Sequence, residues 1–237
     1  MSSKEEVDNL RAVIHQAIQD SHQVIAKDPI FHNTEWCAKM IGDPTWIAIE
    51  SQSHDTTVPQ QNTFLAKTLQ TDSTIHGCLT LIKSPLEPAE PLLDGKSRPI
   101  ADTTHGVAGD KMDTGDAIKE VVMLLSLGSA VNGFANMAHG GFVSTLLDEV
   151  IGVLNTTNIR FQEYVQKRKQ PSPVTAYLNV TFQRPLPTPS IIQARAWYKG
   201  KDSTERKRVI LGTLEDGQGV AYAKVEGLLV LPRQYSL

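Results

Sequence analysis

The stretch His139-Gly140-Gly141-Phe142-Val143-Ser144-Thr145-Leu146-Leu147-Asp148-Glu149 decides the reading of this chain. It is a tight glycine turn opening a helix. Phe142, Val143, Leu146, Leu147, Val150, Ile151, Val153 and Leu154 leave that helix no wet face, which predicts burial in a core. One adjacent pair of carboxylates, Asp148 and Glu149, interrupts the apolar run. A carboxylate in a buried helix is costly unless something pairs or uses it. The glycines matter too, because the N–H groups at a helix start are unpaired and electropositive and can polarise a carbonyl. An amide donor and a carboxylate on one core helix point to acyl-transfer chemistry.

The rest of the chain supplies strands for this helix to pack on. Thr74 to Lys83 and Lys119 to Gly128 have strand character. Between them, residues 84–116 hold four prolines and several glycines, the composition of a long loop. Asp110, Asp113 and Asp116 fall in that loop without the order of a calcium-binding motif and read as solvated charge. After Asn155 a polar connection runs to Gln166-Lys167-Arg168-Lys169-Gln170-Pro171. The period then becomes two: Val174, Ala176, Leu178, Val180 and Phe182 face one way, Thr175, Tyr177, Asn179 and Thr181 the other. Ile191–Lys199, Glu205–Leu214 and Val220–Leu231 follow as three more strands, making four in a meander. One helix against an antiparallel sheet is an α+β layer solution. Upstream, residues 4–26 carry Leu10, Val13, Ile14, Ala17 and Ile18 at helical spacing. Residues 27–73 read as irregular, with a turn at Asp43-Pro44-Thr45-Trp46 and Trp36, Trp46 and Phe64 as anchors.

Bulk properties narrow the class. The 237 residues suit one domain with extensions. A net charge of −3 argues against a nucleic-acid binder, which shows a basic surplus. No run approaches the roughly 20 apolar residues of a membrane span. The acidic start lacks a signal core, and Cys37 and Cys78 are far apart, which fits free thiols and predicts a cytoplasmic protein. Familiar catalytic motifs are missing. Ser129 lacks both glycines of a nucleophile elbow, and the histidines show no metal-binding spacing.

Geometry then limits the mechanism. Gly140 and Asp148 are eight residues apart, about 12 Å along a helix. One carbonyl cannot touch both in the same chain, whereas two helices meeting across a two-fold axis bring Gly140 of one copy beside Asp148 of the other. Dimerisation is therefore a prediction of the chemistry.

At these residues the sequence resembles a family. His139-Gly140-Gly141 followed by Leu146-Leu147-Asp148-Glu149 looks like the signature of hotdog-fold acyl-CoA thioesterases of the 4-hydroxybenzoyl-CoA thioesterase superfamily, most like the phenylacetate-pathway type. Val174 to Pro185 matches the strand that follows the central helix there. The resemblance implies a hotdog domain over 74–237, with the loop 84–116 as an addition and 1–73 as an N-terminal extension. It implies that Asp148 is the nucleophile or the base that activates water, that the Gly140 or Gly141 amide polarises the thioester carbonyl, and that His139 shapes the turn or contacts substrate. Thr175 falls where relatives carry a hydroxyl near the attacking water. Asn132 and Asn136 compete for a position that relatives fill with Asn or Gln, and Glu149 and Arg184 are further candidates for substrate contact. No metal or redox cofactor is implied. CoA would be part of the substrate, its phosphates met by cations such as Arg184, Lys199 or Lys201. The expected activity is hydrolysis of an acyl-CoA or acyl-pantetheine thioester by a homodimer or dimer of dimers. Two rivals are release of a polyketide or other acyl chain from an acyl carrier protein, and a hotdog module that binds acyl groups or proteins without turnover.

Overall fold

The computed structural model describes residues 3–51, 53, 62–85, 117–167, 169, 171–200, 204 and 206–232. Asp110, Asp113 and Asp116, most of the 84–116 loop, and Lys201 lie outside the described residues. In chain order come α1 (Ser3–Ala26), a 3-10 turn (Pro29–Asn33), α2 (Glu35–Ile41), β1 (Trp46–Ile49) and a π-helical turn (Phe64–Leu69). Then follow β2 (Ile75–Lys83), β3 (Glu120–Leu127), a 3-10 turn (Ser129–Val131), β4 (Asn132–Phe134), β5 (Met137–Ala138) and α3 (Gly140–Gln166). β6 (Val174–Phe182), β7 (Ser190–Tyr198), β8 (Lys207–Glu215) and β9 (Ala221–Val230) are the last elements of the described residues.

Seven strands form one antiparallel sheet in the order β1-β2-β3-β7-β8-β9-β6, and β4 and β5 pair separately as a small hairpin. α3 lies on one face of the large sheet. Leu146, Leu147, Val150, Ile151 and Leu154 pack there against Met123 and Leu125 of β3, Ile192, Ala194 and Ala196 of β7, Ile210 and Leu214 of β8, and Ala223 and Val225 of β9. Each fully buried aliphatic side chain contributes about 1.5–3 kcal/mol, so this interface is the main source of stability. Gly227 lets the helix approach closely, while a side chain on Gly212 would only touch it. A Cβ on Gly227 would stand 2.3 Å from Ile151 Cδ1, and one on Gly212 would stand 3.6 Å from Ile151 Cγ2. A sheet wrapped on one central helix is the hotdog arrangement expected from the sequence.

The opposite face of β1, β2 and β3 carries a second core. Phe31, Cys37, Ala48, Leu79, Leu81, Val122 and Leu124 are buried there, with Trp36 and Trp46 packed against them. The N-terminal segment is thus less irregular than expected. It contributes α2, and its β1 extends the sheet, Trp46 pairing with Lys83 and Ile49 with Thr80. The expected turn is present, with Trp46 N donating to Asp43 O at 3.0 Å. Phe64, expected to be an anchor, is exposed instead.

Three more expectations need correction. The meander holds only for β7, β8 and β9, because β6 pairs with β9 and forms the far edge of the sheet. The polar connection after Asn155 is helical to Gln166. Its asparagines are used inside: Asn158 Oδ1 accepts from Ile118 N at 2.9 Å, and Asn158 Nδ2 donates to Ile118 O at 2.8 Å and to Tyr198 Oη at 3.2 Å. Finally, α3 is not closed all round. Gly141 is exposed, and Thr145, Asp148, Gly152 and Thr156 are only partly buried, so one stripe faces outward. No helix among the described residues is long and apolar enough to cross a membrane.

Candidate active site

The site begins at the turn into α3. His139 is the N-cap, in extended conformation, and its Nδ1 accepts from Gly141 N at 2.9 Å. With Nδ1 accepting, the proton of the neutral ring sits on Nε2. The ring folds so closely that a Cβ on Gly141 would lie 3.0 Å from Nδ1, which explains the second glycine. The cap also spends the Gly141 N–H. The Gly140 N–H has no hydrogen-bond acceptor among the described residues and is left at the electropositive end of a 27-residue helix.

An open cleft of about 550 Å³ lies in front of that turn, with His139, Gly140 and Arg184 in its lining. Its walls are apolar: Phe134 at 76% and Phe182 at 56% exposure present whole rings to the space, beside Met137, Val143 and Leu186. A large aromatic side chain left this exposed marks a surface that something covers. The Phe182 ring stands 3.6 Å from the position of a Cβ on Gly140.

Asp148 lies two turns along the helix, on the open stripe. Thr175 Oγ1 donates to Asp148 Oδ1 at 3.0 Å, and both residues are reachable by solvent. Strict alternation would turn Thr175 away from Leu178 and Val180, which pack on the core. An irregularity between Thr175 and Tyr177 in the β6–β9 register breaks the alternation. A bulge of this kind re-aims a side chain, here bringing the Thr175 hydroxyl to the helix.

The other predicted residues are dispersed. Glu149 points to the opposite flank of α3, where the Ser53 hydroxyl donates to it and Cys78 is a neighbour. Burial raises its carboxyl above the ordinary range, the Ser53 bond opposes that shift, and Asp148 adds to it. Asn132, on β4, accepts from Thr188 Oγ1 through its Oδ1. Asn136 turns the β4–β5 hairpin with φ 56°, a left-handed conformation that Asn tolerates, and its carbonyl accepts from Thr188 N at 3.2 Å. Neither asparagine lines the cleft. Lys199 is paired with Glu226 at 2.9 Å. Among the described residues no group of three or more His, Cys, Asp or Glu side chains is placed to hold a metal ion.

Sequence reasoning missed the aromatic walls and Ser53. The signal for Phe134 was its place in the Gly133-Phe134-Ala135-Asn136 turn just before His139; nothing in the sequence points to Ser53.

A hotdog sheet around a helix that starts at His139-Gly140-Gly141 defines a class. Residues 135–205, which run from the hairpin turn through α3 and β6 and past β7, match the family model of the Thioesterase superfamily. A curated relative, verlamelin biosynthesis protein B of Lecanicillium sp, is 32% identical over 114 residues, 41% of this chain and 49% of that protein. The chain thus spans about half the length of the curated relative it matches. Solved structures similar to the chain include a hypothetical thioesterase of Streptococcus pneumoniae TIGR4 with coenzyme A. It is 14% identical, with a TM-score of 0.40, over 50% of this chain and 85% of that one. A putative thioesterase of Ralstonia eutropha JMP134, described as phenylacetic acid degradation-related, is 18% identical with a TM-score of 0.40, over 52% and 82%. Zebra fish thioesterase superfamily member 2 is 17% identical with a TM-score of 0.38, over 48% and 75%.

Proposed function

We propose that the protein hydrolyses an acyl thioester of pantetheine, as in an acyl-CoA, to the free acid and the thiol. The observation that carries this reading is the Asp148–Thr175 pair, a carboxylate oriented by a hydroxyl at 3.0 Å on the open stripe of the helix that starts with the Gly140 amide. In the general-base form, Asp148 takes a proton from water as its oxygen attacks the thioester carbonyl. The Gly140 N–H of a second copy donates to the developing oxyanion. Collapse breaks the C–S bond, and the thiolate leaves with the proton that Asp148 releases. Direct attack by Asp148 would instead give an anhydride that water then opens. Hydrolysis in ¹⁸O-water under single turnover separates the two, since only the anhydride route can place label in Asp148.

The two-copy arrangement fits the edge of the sheet. Among the described residues β6 pairs only with β9, and Val174, Tyr177 and Phe182 are exposed along it. A bare nine-residue edge is a template for another strand. Antiparallel pairing of β6 with its copy would set the cleft of one protomer opposite Asp148 of the other. Sedimentation should give a dimer or a dimer of dimers.

Free-thiol release from short, long and aromatic acyl-CoAs tests the activity, wild type beside Asp148→Ala. Loss of release in the variant supports the reading. Equal release in both overturns the role of Asp148, and no release from any ester favours a binding module. The biosynthetic name of the curated relative favours a second reading, release of an acyl chain from the pantetheine of a carrier protein, and acyl carrier proteins belong in the same panel.

A further inference from the structure

Two runs of three consecutive cations, Lys167-Arg168-Lys169 and Arg206-Lys207-Arg208, stand far apart in the chain. The fold brings them to one end of the molecule. Lys167 is the C-cap of α3, where a cation suits the negative end of the helix dipole. Two residues beyond Lys169, Pro171 joins Pro173, Arg206 and Arg208 around one small cavity beside Ile159 and Gln162 of α3. Arg206 and Arg208 take one side of the start of β8 and Lys207 takes the other, so cations wrap the end of the sheet. Arg168 itself lies outside the described residues.

The strand register sets this end beside the proposed catalytic pair. Arg208 is the partner of Leu229, and Leu229 is the partner of Thr175, whose hydroxyl donates to Asp148. Along that row Arg208 and Thr175 are two strand spacings apart, roughly 10 Å. Lys207, Val230 and Val174 form the next row towards the end of the sheet.

These cations are unmatched. Elsewhere the chain pairs its cations: Arg195 with Glu120, Lys27 with Glu50, and Lys199 with Glu226 at 2.9 Å. Lys167, Lys169, Arg206 and Lys207 are exposed and have no carboxylate partner among the described residues. Like charges within a Debye length, about 8 Å, repel one another, and an anionic partner relieves that repulsion. The shape of the partner follows from the rest of the charge. The chain carries −3, so the remainder without the six cations carries −9. A long duplex or an anionic bilayer would lay its charge against that remainder as well. A small acidic protein can meet the cationic end alone, and complementary fields of this kind steer the encounter.

We propose that the end of the molecule built from the Lys167–Lys169 and Arg206–Arg208 runs docks the acidic face of a carrier protein that presents its acyl thioester to Asp148. This rests on the carrier-protein reading of the function. Lys169 and Lys207, exposed and clear of the core packing, are the residues to change.

Titration with an apo acyl carrier protein of type II, which lacks the prosthetic arm, tests the surface without turnover. Wild type should bind it, more weakly as salt rises from roughly 50 to 300 mM. The double charge reversal Lys169→Glu with Lys207→Glu should bind about tenfold more weakly or not at all, with its thermal midpoint kept. A carrier with two acidic residues of its docking helix changed to lysine should bind the double variant better than wild type, which a merely structural effect would not produce. Absence of binding by wild type, or equal binding by wild type and variant, overturns the proposal. So does binding of phosphatidylglycerol vesicles or duplex DNA at this end in place of the carrier.

Kinetics supply the second readout. KM for an octanoyl carrier protein should rise about tenfold in the double variant, while KM and kcat for the octanoyl thioester of N-acetylcysteamine, which has no protein to dock, should not move. Hydrolysis of the carrier thioester that is indifferent to the charge reversal would overturn the docking surface and leave the carrier reading standing. Charge-dependent carrier binding without turnover of any thioester would do the reverse, keeping the surface and ending the hydrolase reading.

Discussion

The two flanks of the central helix place adjacent carboxylates in different worlds. On the open flank Asp148 faces solvent and a hydroxyl, Thr175, delivered by a strand that has no neighbour on its far side among the described residues. On the closed flank Glu149 faces Ser53 and Cys78, and burial pushes its proton affinity up. One residue of helix turns a side chain by about 100°, and that rotation separates a charge that can do work from one that the core resists. Carboxylate chemistry here is decided by azimuth rather than by residue type.

The largest effect expected from breaking this contrast is on turnover. Asp148→Ala should lower kcat by about 10²–10⁴-fold in thiol-release assays, with the thermal midpoint nearly unchanged because its side chain is only partly buried. Next, Thr175→Val removes a hydrogen bond to a charged group, a contribution of about 1.5–3 kcal/mol, so kcat/KM should fall roughly tenfold or more. Matching losses in Thr175→Val and Asp148→Ala would mean that the hydroxyl acts on its own account.

On the closed flank the readout is stability. The folded state raises the affinity of Glu149 for its proton. Its favourable contribution is therefore complete below the ordinary carboxyl range and is lost as pH rises through the folded value. Glu149→Gln, neutral throughout, should gain on wild type in thermal midpoint between pH 4 and pH 8, with activity retained. A constant difference across that range would refute the assignment. The smallest effect concerns the thiols. Burial pushes Cys37 up to about 12 and raises Cys78 as well, so at pH 8 a thiol reagent should titrate neither in the native protein and both in denaturant.

The legibility of these flanks in the sequence differed for physical reasons. The apolar period of α3, the alternation of β6 and the apolar runs of β2 and β3 are local signals, and those elements appear where the pattern puts them. β1 has four residues and α2 seven, too short for a period to emerge. Their apolar residues make sense only against the outer face of a sheet that the sequence does not display. The last turns of α3 were hidden because Asn158, polar by type, is satisfied by Ile118 and Tyr198, each forty residues away. Of the site, His139, Gly140 and Asp148 could be named from one motif. The pairing of Asp148 with Thr175 could not be derived from alternation, because a bulge reverses the side that Thr175 faces.

Gly227 beneath Ile151 has a mechanical consequence. A helix lying on a smooth sheet can roll about its own axis, and a roll of a few tens of degrees would carry Asp148 away from Thr175. Ile151, three residues from Asp148, drops into the shallow slot left by Gly227, beside Gly212. It acts as a key in a keyway, indexing the rotational phase of the shaft. The bearing of the carboxylate is thus set from the dry side of the helix, by side chains buried against the sheet.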